Sequence, residues 1–135
     1  MLNALLNNIN AYIYVKDCSG HYVYVNQKVA DLFGLAAADI VGKEDSEFFD
    51  LTHSKELRQN DNQVLKQRAT IETEEENFVK ALNSVRVYKT TKSPLFDEQG
   101  ELIGLYGVST DITEIKRLQK VVEEKERLLN IVLDN

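Results

Sequence analysis

The segment from residue 101 to residue 114 constrains the fold most, because its hydrophobic pattern changes from that of a strand to that of a helix. Apolar side chains occupy both faces of residues 102–110, which predicts an interior strand rather than an edge strand. Asp111 is a favoured N-cap residue and Glu114 follows three positions later, so the pair predicts a capped helix directly after the strand. The sequence therefore predicts a core strand joined to an exposed helix through a short polar junction.

The rest of the chain supplies four more strands and several helices. Segments rich in β-branched and aromatic residues, typical of strands, occur at residues 12–16, 21–25, 70–78 and 85–92. Helical patterns occur at residues 2–9, 27–33 and about 54–67, with shorter helical turns near residues 36–42 and 45–49. This order predicts an α+β fold, with one five-stranded antiparallel sheet and the helices packed on one face.

The composition is acidic, and this bounds the partners and the compartment. The formal charge is −6 and the basic residues are scattered, whereas a nucleic-acid surface needs clustered Lys and Arg. We therefore expect no nucleic-acid partner. The single cysteine, Cys18, cannot form an internal disulfide and fits a reducing, cytoplasmic location. No segment is apolar for long enough to cross a bilayer, so we expect no direct membrane insertion.

Several short motifs follow one another in the order and spacing of a known family. They are the strand–turn–strand unit of residues 15–26, Leu32-Phe33-Gly34, Ile40-Val41-Gly42, Pro94-Leu95-Phe96-Asp97 with Gly100 and Gly104, and Asp111-Ile112-Thr113. In combination, over about residues 3–115, these motifs resemble a PAS domain with its C-terminal PAC part. The resemblance implies a sensory and protein-interaction fold with a cavity between the sheet and the helices.

The resemblance also implies a place within a larger protein. PAS domains are usually one part of a signalling chain such as a sensor histidine kinase or a diguanylate cyclase. This implies an output domain in the same polypeptide, and it allows the chain to be the cytoplasmic part of a membrane-bound sensor. We expect a PAS/PAC sensory domain over residues 1–112 and a signalling helix over residues 113–135. No catalytic activity is expected here, since no catalytic triad, phosphate loop or zinc motif is present.

Pattern position predicts which residues surround the cavity. They are Tyr24, Asn26, Phe33, Phe49, Leu57, Tyr88 and Tyr106. Four tyrosines alternate along the first hairpin, at positions 12, 14, 22 and 24, and two interpretations stay open for them: an aromatic ligand box, or cross-strand packing.

Neither candidate cofactor ligand fits its family position. His53 lies earlier than the axial histidine of haem-binding relatives, and it has no evident second ligand. Cys18 lies in a hairpin turn, whereas relatives that form a flavin–cysteine adduct carry their cysteine in a motif that opens the central helix. We therefore expect no haem, flavin or metal, while an unidentified small molecule in the cavity stays open.

The C-terminal helix carries a heptad pattern. Apolar residues recur at alternating three- and four-residue steps, at Ile115, Leu118, Val122, Leu129 and Val132. A lone helix cannot bury such a stripe, so the pattern predicts a parallel two-helix coiled coil in a homodimer, with Lys125 interrupting the seam. In the alternative, the helix folds back onto its own sheet.

Residues 128–135 also resemble residues 2–8. This similarity predicts a second PAS domain after the helix, and chance similarity between two Leu- and Asn-rich stretches is the alternative.

Taken together, the patterns predict a module that senses a ligand or partner and passes the signal through Asp111, Ile112 and Thr113 to the helix. The alternative function is a ligand-free module for dimerisation or protein docking.

Overall fold

The alternating segments assemble into one antiparallel sheet in the computed structural model, which describes residues 2–134. The helices are α1 (Leu2–Asn8), α2 (Gln27–Phe33), α3 (Ala37–Ile40), α4 (Lys55–Gln67) and α5 (Thr113–Asp134). The strands are β1 (Tyr12–Asp17), β2 (Tyr22–Val25), β3 (Phe49–Asp50), β4 (Ile71–Val79), β5 (Ser84–Phe96) and β6 (Leu102–Asp111). Short 3-10 turns occupy Asp45–Glu47, Leu51–His53 and Lys80–Leu82. The predicted α+β class is confirmed.

The strand order in the sheet is β2-β1-β6-β5-β4-β3. Strand β6 lies between β1 and β5, so the prediction of an interior strand is confirmed. The predicted count of five strands was wrong, because Phe49 and Asp50 form a sixth that pairs with the end of β4. A two-residue strand has no periodicity to recognise, and its position was expected to belong to a helical turn.

Strand β5 continues beyond residue 92, where the sequence pattern ended it. Strand β4 begins opposite Lys92, so Pro94 lies where β5 has only β6 beside it. A proline is tolerated at such a position because its missing N–H leaves no ladder bond unmade.

The core lies between the inner face of the sheet and helices α2, α3 and α4. Asn26 caps α2 by accepting a hydrogen bond from the N–H of Val29, and Gly34 ends that helix in the left-handed conformation. Most of the buried apolar residues form one cluster, made of Tyr22, Val25, Val29, Ala30, Phe33, Ile40, Phe48, Phe49, Leu57, Val79 and Tyr88.

Helix α5 leaves the sheet and has no buried residue. Its 22 residues span about 33 Å. The five residues of the heptad seam are between 51% and 70% exposed, so the helix does not fold back onto its sheet. Within residues 2–134, no helix is both long and apolar enough to cross a membrane. Residues 1 and 135, the outer bounds of the two expected domains, lie outside the described part of the chain.

Gly104 provides a test of the central sheet. A Cβ atom at this position would overlap the backbone carbonyl oxygen of Lys16 on β1, and a backbone atom in a central strand cannot move aside. We expect Gly104→Ala to lower the free energy of unfolding by about 3 kcal/mol.

Urea denaturation followed by circular dichroism measures this loss. Ile103→Ala is the control, because the Ile103 side chain lies on the same strand and is 46% exposed. Its cost should be below about 1 kcal/mol. Equal stability of the two variants would contradict the assigned β1–β6 packing.

Candidate functional site

A cavity lies between the sheet and the helices, with polar and aromatic walls. Strands β1, β4, β5 and β6 contribute one wall, while helices α2 and α4 contribute Val29, Leu32, Phe33 and Leu57 to the other. The volume of the cavity is about 40 Å³. Six aromatic rings surround this space: Tyr12, Tyr14, Tyr22, Phe33, Phe49 and Tyr88.

Four of the seven residues predicted to surround the cavity line it. These are Phe33, Phe49, Leu57 and Tyr88.

The other three lie elsewhere, for separate reasons. The Asn26 side chain is buried, but its amide donates to the carbonyl of Ala11 (2.8 Å) and its oxygen caps α2. Tyr24 lines a shallow surface depression beside α1 and α3. Tyr106 is 40% exposed on the outer face of the sheet, because the inward positions of β6 are Leu105, Gly107 and Ser109.

Of the four alternating tyrosines, three line the cavity. The rings of Tyr12 and Tyr88 meet edge-on, with their centroids 5.6 Å apart. The centroids of the Tyr14 and Tyr22 rings are 6.4 Å apart. Tyr12, Tyr14 and Tyr22 therefore pack against other rings and also line the cavity. Tyr24 does not line it.

A buried network of five charged side chains lies at the polar end of the cavity, and three of them, Lys16, Glu75 and Lys92, line it. Lys16 Nζ lies 2.6 Å from Asp45 Oδ2 and 2.7 Å from Asp61 Oδ2. Lys92 Nζ lies 2.7 Å from Asp61 Oδ1 and 2.6 Å from Glu75 Oε2. Asp61, on α4, therefore bridges two lysines from two different strands, and the network joins the helix to the sheet.

Three groups of this network, Lys16, Lys92 and Asp61, have pKa values shifted in favour of their ionised forms. Burial alone would lower the pKa of Lys16, but Asp45 and Asp61 outweigh that effect and raise it. Burial likewise opposes the charge of Lys92, and Asp61 with Glu75 raises its pKa. Burial would raise the pKa of Asp61, but the two lysines hold it below its ordinary value.

The sequence analysis did not predict this network, since no local pattern pairs a given lysine with a given carboxylate. A signal was present in the alternation of the strands. Lys16 shares the inward face of β1 with Tyr12 and Tyr14, and Lys92 shares the inward face of β5 with Tyr88. A lysine in phase with aromatic core residues in an interior strand must be buried and needs a carboxylate partner.

Two buried polar atoms on the cavity wall have no hydrogen-bond partner among residues 2–134. They are Asn77 Oδ1 and the hydroxyl of Tyr88. Each residue is 4% exposed. Buried polar groups without partners are rare, and each one calls for an explanation. Burial raises the pKa of the Tyr88 hydroxyl, so it keeps its proton at neutral pH.

The junction between β6 and α5 is a compact set of hydrogen bonds. Asp111 Oδ2 accepts from Arg86 Nε (2.9 Å), and Asp111 Oδ1 accepts from the N–H (2.9 Å) and the hydroxyl (2.6 Å) of Thr113. Thr113 Oγ1 accepts from the N–H of Val87 (2.8 Å), and Ile112 donates to the Val87 carbonyl (2.8 Å). The bonds from Thr113 and Arg86 outweigh the opposing effect of burial and lower the pKa of Asp111. The start of α5 is thereby fastened to β5.

Asp111 and Glu114 do not cap α5 together in the way that the sequence predicted. Helix α5 begins at Thr113, two residues after Asp111, and the Glu114 carboxylate pairs with Arg117 instead of reaching back to the cap. Arg86 explains the difference, because its guanidinium holds the Asp111 side chain against β5.

The cavity and the junction meet on neighbouring strands. Tyr88, whose ring and hydroxyl line the cavity, is the cross-strand partner of Asp111. Arg86 and Val87, the two residues of β5 that hold the junction, directly precede Tyr88 in the chain.

The two candidate cofactor ligands lie away from the cavity. His53 is 66% exposed in a 3-10 turn, where its Nδ1 lies 3.1 Å from Asp50 Oδ2. Cys18 is exposed in the β1–β2 turn, and its Sγ lies 3.6 Å from the Leu102 carbonyl. In the described part of the chain, no group of three or more His, Cys, Asp or Glu side chains could hold a metal ion. Neither His53 nor Cys18 lines the cavity.

The buried network makes stability depend on Asp61. Asp61→Asn removes the carboxylate that bridges Lys16 and Lys92, and we expect a loss of about 3 kcal/mol at neutral pH. The pKa of Asp61 is lower in the folded protein than in the unfolded chain. Its ionisation therefore stabilises the fold above the unfolded pKa of about 3.9, and this contribution is lost as the pH falls through the folded pKa.

Chemical denaturation between neutral and acid pH measures both effects. The acid loss of stability should be shallower in Asp61→Asn than in the wild type. Asp31→Asn, at an exposed position on α2, should keep the wild-type slope. An Asp61→Asn variant as stable as Asp31→Asn would show that the bridge contributes nothing.

Comparison with known proteins supports one family. The sequence profile described as the PAS fold matches residues 6–117. A diguanylate cyclase of Vibrio cholerae is 37% identical over 117 residues, which make up 86% of this chain and 36% of that protein. The methanogenesis regulatory histidine kinase FilI of Methanothrix harundinacea is 30% identical over 118 residues, which make up 87% of this chain and 13% of that protein. This chain thus spans well under half the length of both relatives.

Structural similarity agrees with the sequence match. VqmA of Vibrio cholerae, solved in a ligand–DNA complex, superposes with a TM-score of 0.71 at 26% identity. The superposition covers 82% of this chain and 50% of the VqmA chain. With its profile match, its antiparallel sheet under three helices and its C-terminal helix, this chain belongs to the PAS fold family.

Proposed function

We propose that this chain is the sensory module of a larger signalling protein. A small molecule binds in the cavity, β5 and β6 shift, and the junction at Asp111, Ile112 and Thr113 passes the shift to α5. Orientation of α5 then sets the activity of an output domain in the same polypeptide. The relatives support such an output domain, since one is a diguanylate cyclase and another a histidine kinase.

A single observation carries this proposal: a residue of the cavity wall is paired with the residue that anchors the helix. Tyr88 lines the cavity and lies opposite Asp111, which binds Arg86 and Thr113. A side chain that moves on ligand binding therefore acts on the anchoring strand directly, with no intervening layer of structure.

Dimerisation through α5 completes the proposed mechanism. Ile115, Leu118, Val122, Leu129 and Val132 are exposed and lie along one side of the helix. In a parallel coiled coil of two copies, this stripe would be buried, and a rotation at the junction would reach both helices together.

The proposal includes a cytoplasmic location and no nucleic-acid partner for this chain. The DNA in the similar VqmA complex belongs to that protein.

The small size of the cavity favours a second candidate function. A volume of about 40 Å³, beside a network of internally paired charges, also suits a dimerisation or docking module that binds no ligand. Native mass spectrometry of the purified protein separates the two functions, since a retained small molecule supports sensing and a protein that carries none supports docking.

The relay can be tested in a chimera, with this chain in place of the matching 117-residue segment of the Vibrio cholerae cyclase. Phe49→Leu reshapes the cavity wall and so stands in for a change of ligand. We expect it to change cyclase activity by at least about two-fold, a usual effect of mutations along a coupled network. In an Asp111→Asn background, which lacks the charge pairing with Arg86, the same change should have no effect.

Arg117→Gln is the matched control. It removes an exposed ion pair with Glu114 in the first turns of α5 and leaves the junction intact. The effect of Phe49→Leu should persist in this background. If it persists equally in the Asp111→Asn background, the junction does not carry the signal.

The proposed dimer can be tested with one substitution made at two places. Lys125 interrupts the apolar seam, so Lys125→Leu should extend the seam and lower the dimer dissociation constant by about ten-fold. Lys120 lies on the opposite side of α5, so Lys120→Leu should leave the constant unchanged. Sedimentation equilibrium measures both, and an equal gain from the two variants would argue against a specific seam.

A further inference from the structure

The two unpaired polar atoms of the cavity wall face the same small space. Asn77 Oδ1 and the hydroxyl of Tyr88 belong to buried side chains that both line the cavity. Glu75 is the cross-strand partner of Tyr88, and Asn77 follows Glu75 by two residues on β4. Asn77 and Tyr88 are therefore diagonal neighbours on the inner face of the sheet.

The Asn77 amide cannot gain a partner by turning over. Its Nδ2 donates to Glu75 Oε1 at 3.2 Å, and this bond assigns the other end of the amide as the oxygen. The reverse orientation would place the oxygen against the Glu75 carboxylate, where two acceptors would face each other. Glu75 is itself held by Lys92 Nζ at 2.6 Å and by Asn60 Nδ2 at 2.9 Å. Asn77 therefore presents an acceptor to the cavity.

The Tyr88 hydroxyl presents a donor and an acceptor. Burial is the largest of the causes that raise the pKa of Tyr88, so the hydroxyl is neutral at pH 7. A neutral hydroxyl both donates and accepts, whereas an amide oxygen only accepts. The occupant of the cavity must therefore donate a hydrogen bond to Asn77, and it can pair with Tyr88 in either sense.

The other polar groups of the wall are already paired. Lys92 Nζ has two carboxylate partners and the Leu57 carbonyl at 3.3 Å, so its three hydrogens are all used. Lys16 Nζ also has two carboxylate partners. The hydroxyl oxygens of Thr90 and Ser109 lie 2.7 Å apart. Among residues 2–134, the need for further hydrogen bonds at this wall is confined to the two atoms described above.

The volume of the cavity decides which molecule can meet that need. About 40 Å³ exceeds the roughly 10–15 Å³ that one water molecule requires, and it is far below the roughly 150 Å³ of an apolar cavity that takes benzene. Empty cavities in proteins are apolar, whereas a polar cavity of sufficient size holds water. Water both donates and accepts hydrogen bonds, so it suits both unpaired atoms.

We propose that the cavity is a binding site for about one to three internal water molecules, which donate to Asn77 Oδ1 and pair with the Tyr88 hydroxyl. This inference goes beyond the proposed function and does not depend on it, because the water is bound whether or not α5 relays a signal. It also states what a ligand of this cavity must do. A molecule that enters has to displace the water and donate to Asn77 in its place.

A variant that fills the cavity tests the site. Val29 lines the cavity from α2, and Val29→Ile adds one carbon, which takes up about the space of one water molecule. Magnetic relaxation dispersion of ¹⁷O-labelled water counts the molecules that stay in the protein for longer than its tumbling time. We expect the count for Val29→Ile to be lower than that of the wild type by about one. Val23→Ile is the matched control, since it adds the same carbon at an exposed position on β2, and it should keep the wild-type count.

The sign of a stability change gives a second, independent test. When water is bonded to the Tyr88 hydroxyl, Tyr88→Phe removes a hydrogen bond, and the melting temperature should fall by about 3 °C. In a dry cavity, the same substitution removes an unpaired buried group, and the melting temperature would rise. Tyr106→Phe is the control, because Tyr106 is exposed, and its melting temperature should equal that of the wild type.

The inference is overturned if Val29→Ile keeps the full water count, or if Tyr88→Phe melts at or above the wild-type temperature. Tyr88→Phe alone decides if Val29→Ile does not fold. Both outcomes leave the relay of the proposed function standing, since the chimera tests that relay through Phe49→Leu. Conversely, an unresponsive chimera together with the expected water count would leave a hydrated cavity without a relay.

Discussion

The salt bridges of Asp61 are the interaction on which the rest of the structure depends. Asp61 lies on α4 and its two carboxylate oxygens hold Lys16 of β1 and Lys92 of β5. A helix that packs by apolar contacts alone can lie at several heights and rotations over a sheet. A buried carboxylate that bridges two lysines must keep both of its oxygens within hydrogen-bond distance of the two amines, which allows far fewer positions. The bridge therefore sets the position of α4 over the sheet, and with it the size of the cavity.

Burying five charged side chains costs free energy, so each of them needs partners that offset the loss of hydration. Removing the charges from water costs several kcal/mol for each ion, and only good geometry with further hydrogen bonds offsets that cost. Here Tyr22 donates to Asp45 and Asn60 donates to Glu75, so the carboxylates have partners besides the lysines. The unpaired atoms, Asn77 Oδ1 and the Tyr88 hydroxyl, stand out against this otherwise complete pairing.

Strand β5 connects the cavity wall with the start of α5. It places Lys92, Thr90 and Tyr88 on the cavity wall, and its earlier residues Val87 and Arg86 hold the start of α5. Because these positions follow one another on one strand, a displacement of the wall and a displacement of the helix anchor are mechanically linked. In the proposed dimer, the exposed stripe of α5 is the surface through which a partner helix would respond to that displacement.

Local patterns in the sequence determined much of this fold. The alternation in β6, the turn at residues 17–20, the Asn26 cap and the glycine after Phe33 each depend on neighbours within a few residues, and each is present in the structure. Phe33, Phe49, Leu57 and Tyr88 were placed at the cavity for the same reason, since apolar periodicity marks the inward face of an element.

Only the tertiary structure decided which distant residues meet. Lys16, Asp45, Asp61, Glu75 and Lys92 come from five separate segments, and no local pattern pairs a given lysine with a given carboxylate. The pairing of Arg86 with Asp111 and the two-residue strand β3 have the same origin, because both exist only through strand register. Local periodicity says which side of an element is buried, whereas long-range packing sets what lies opposite.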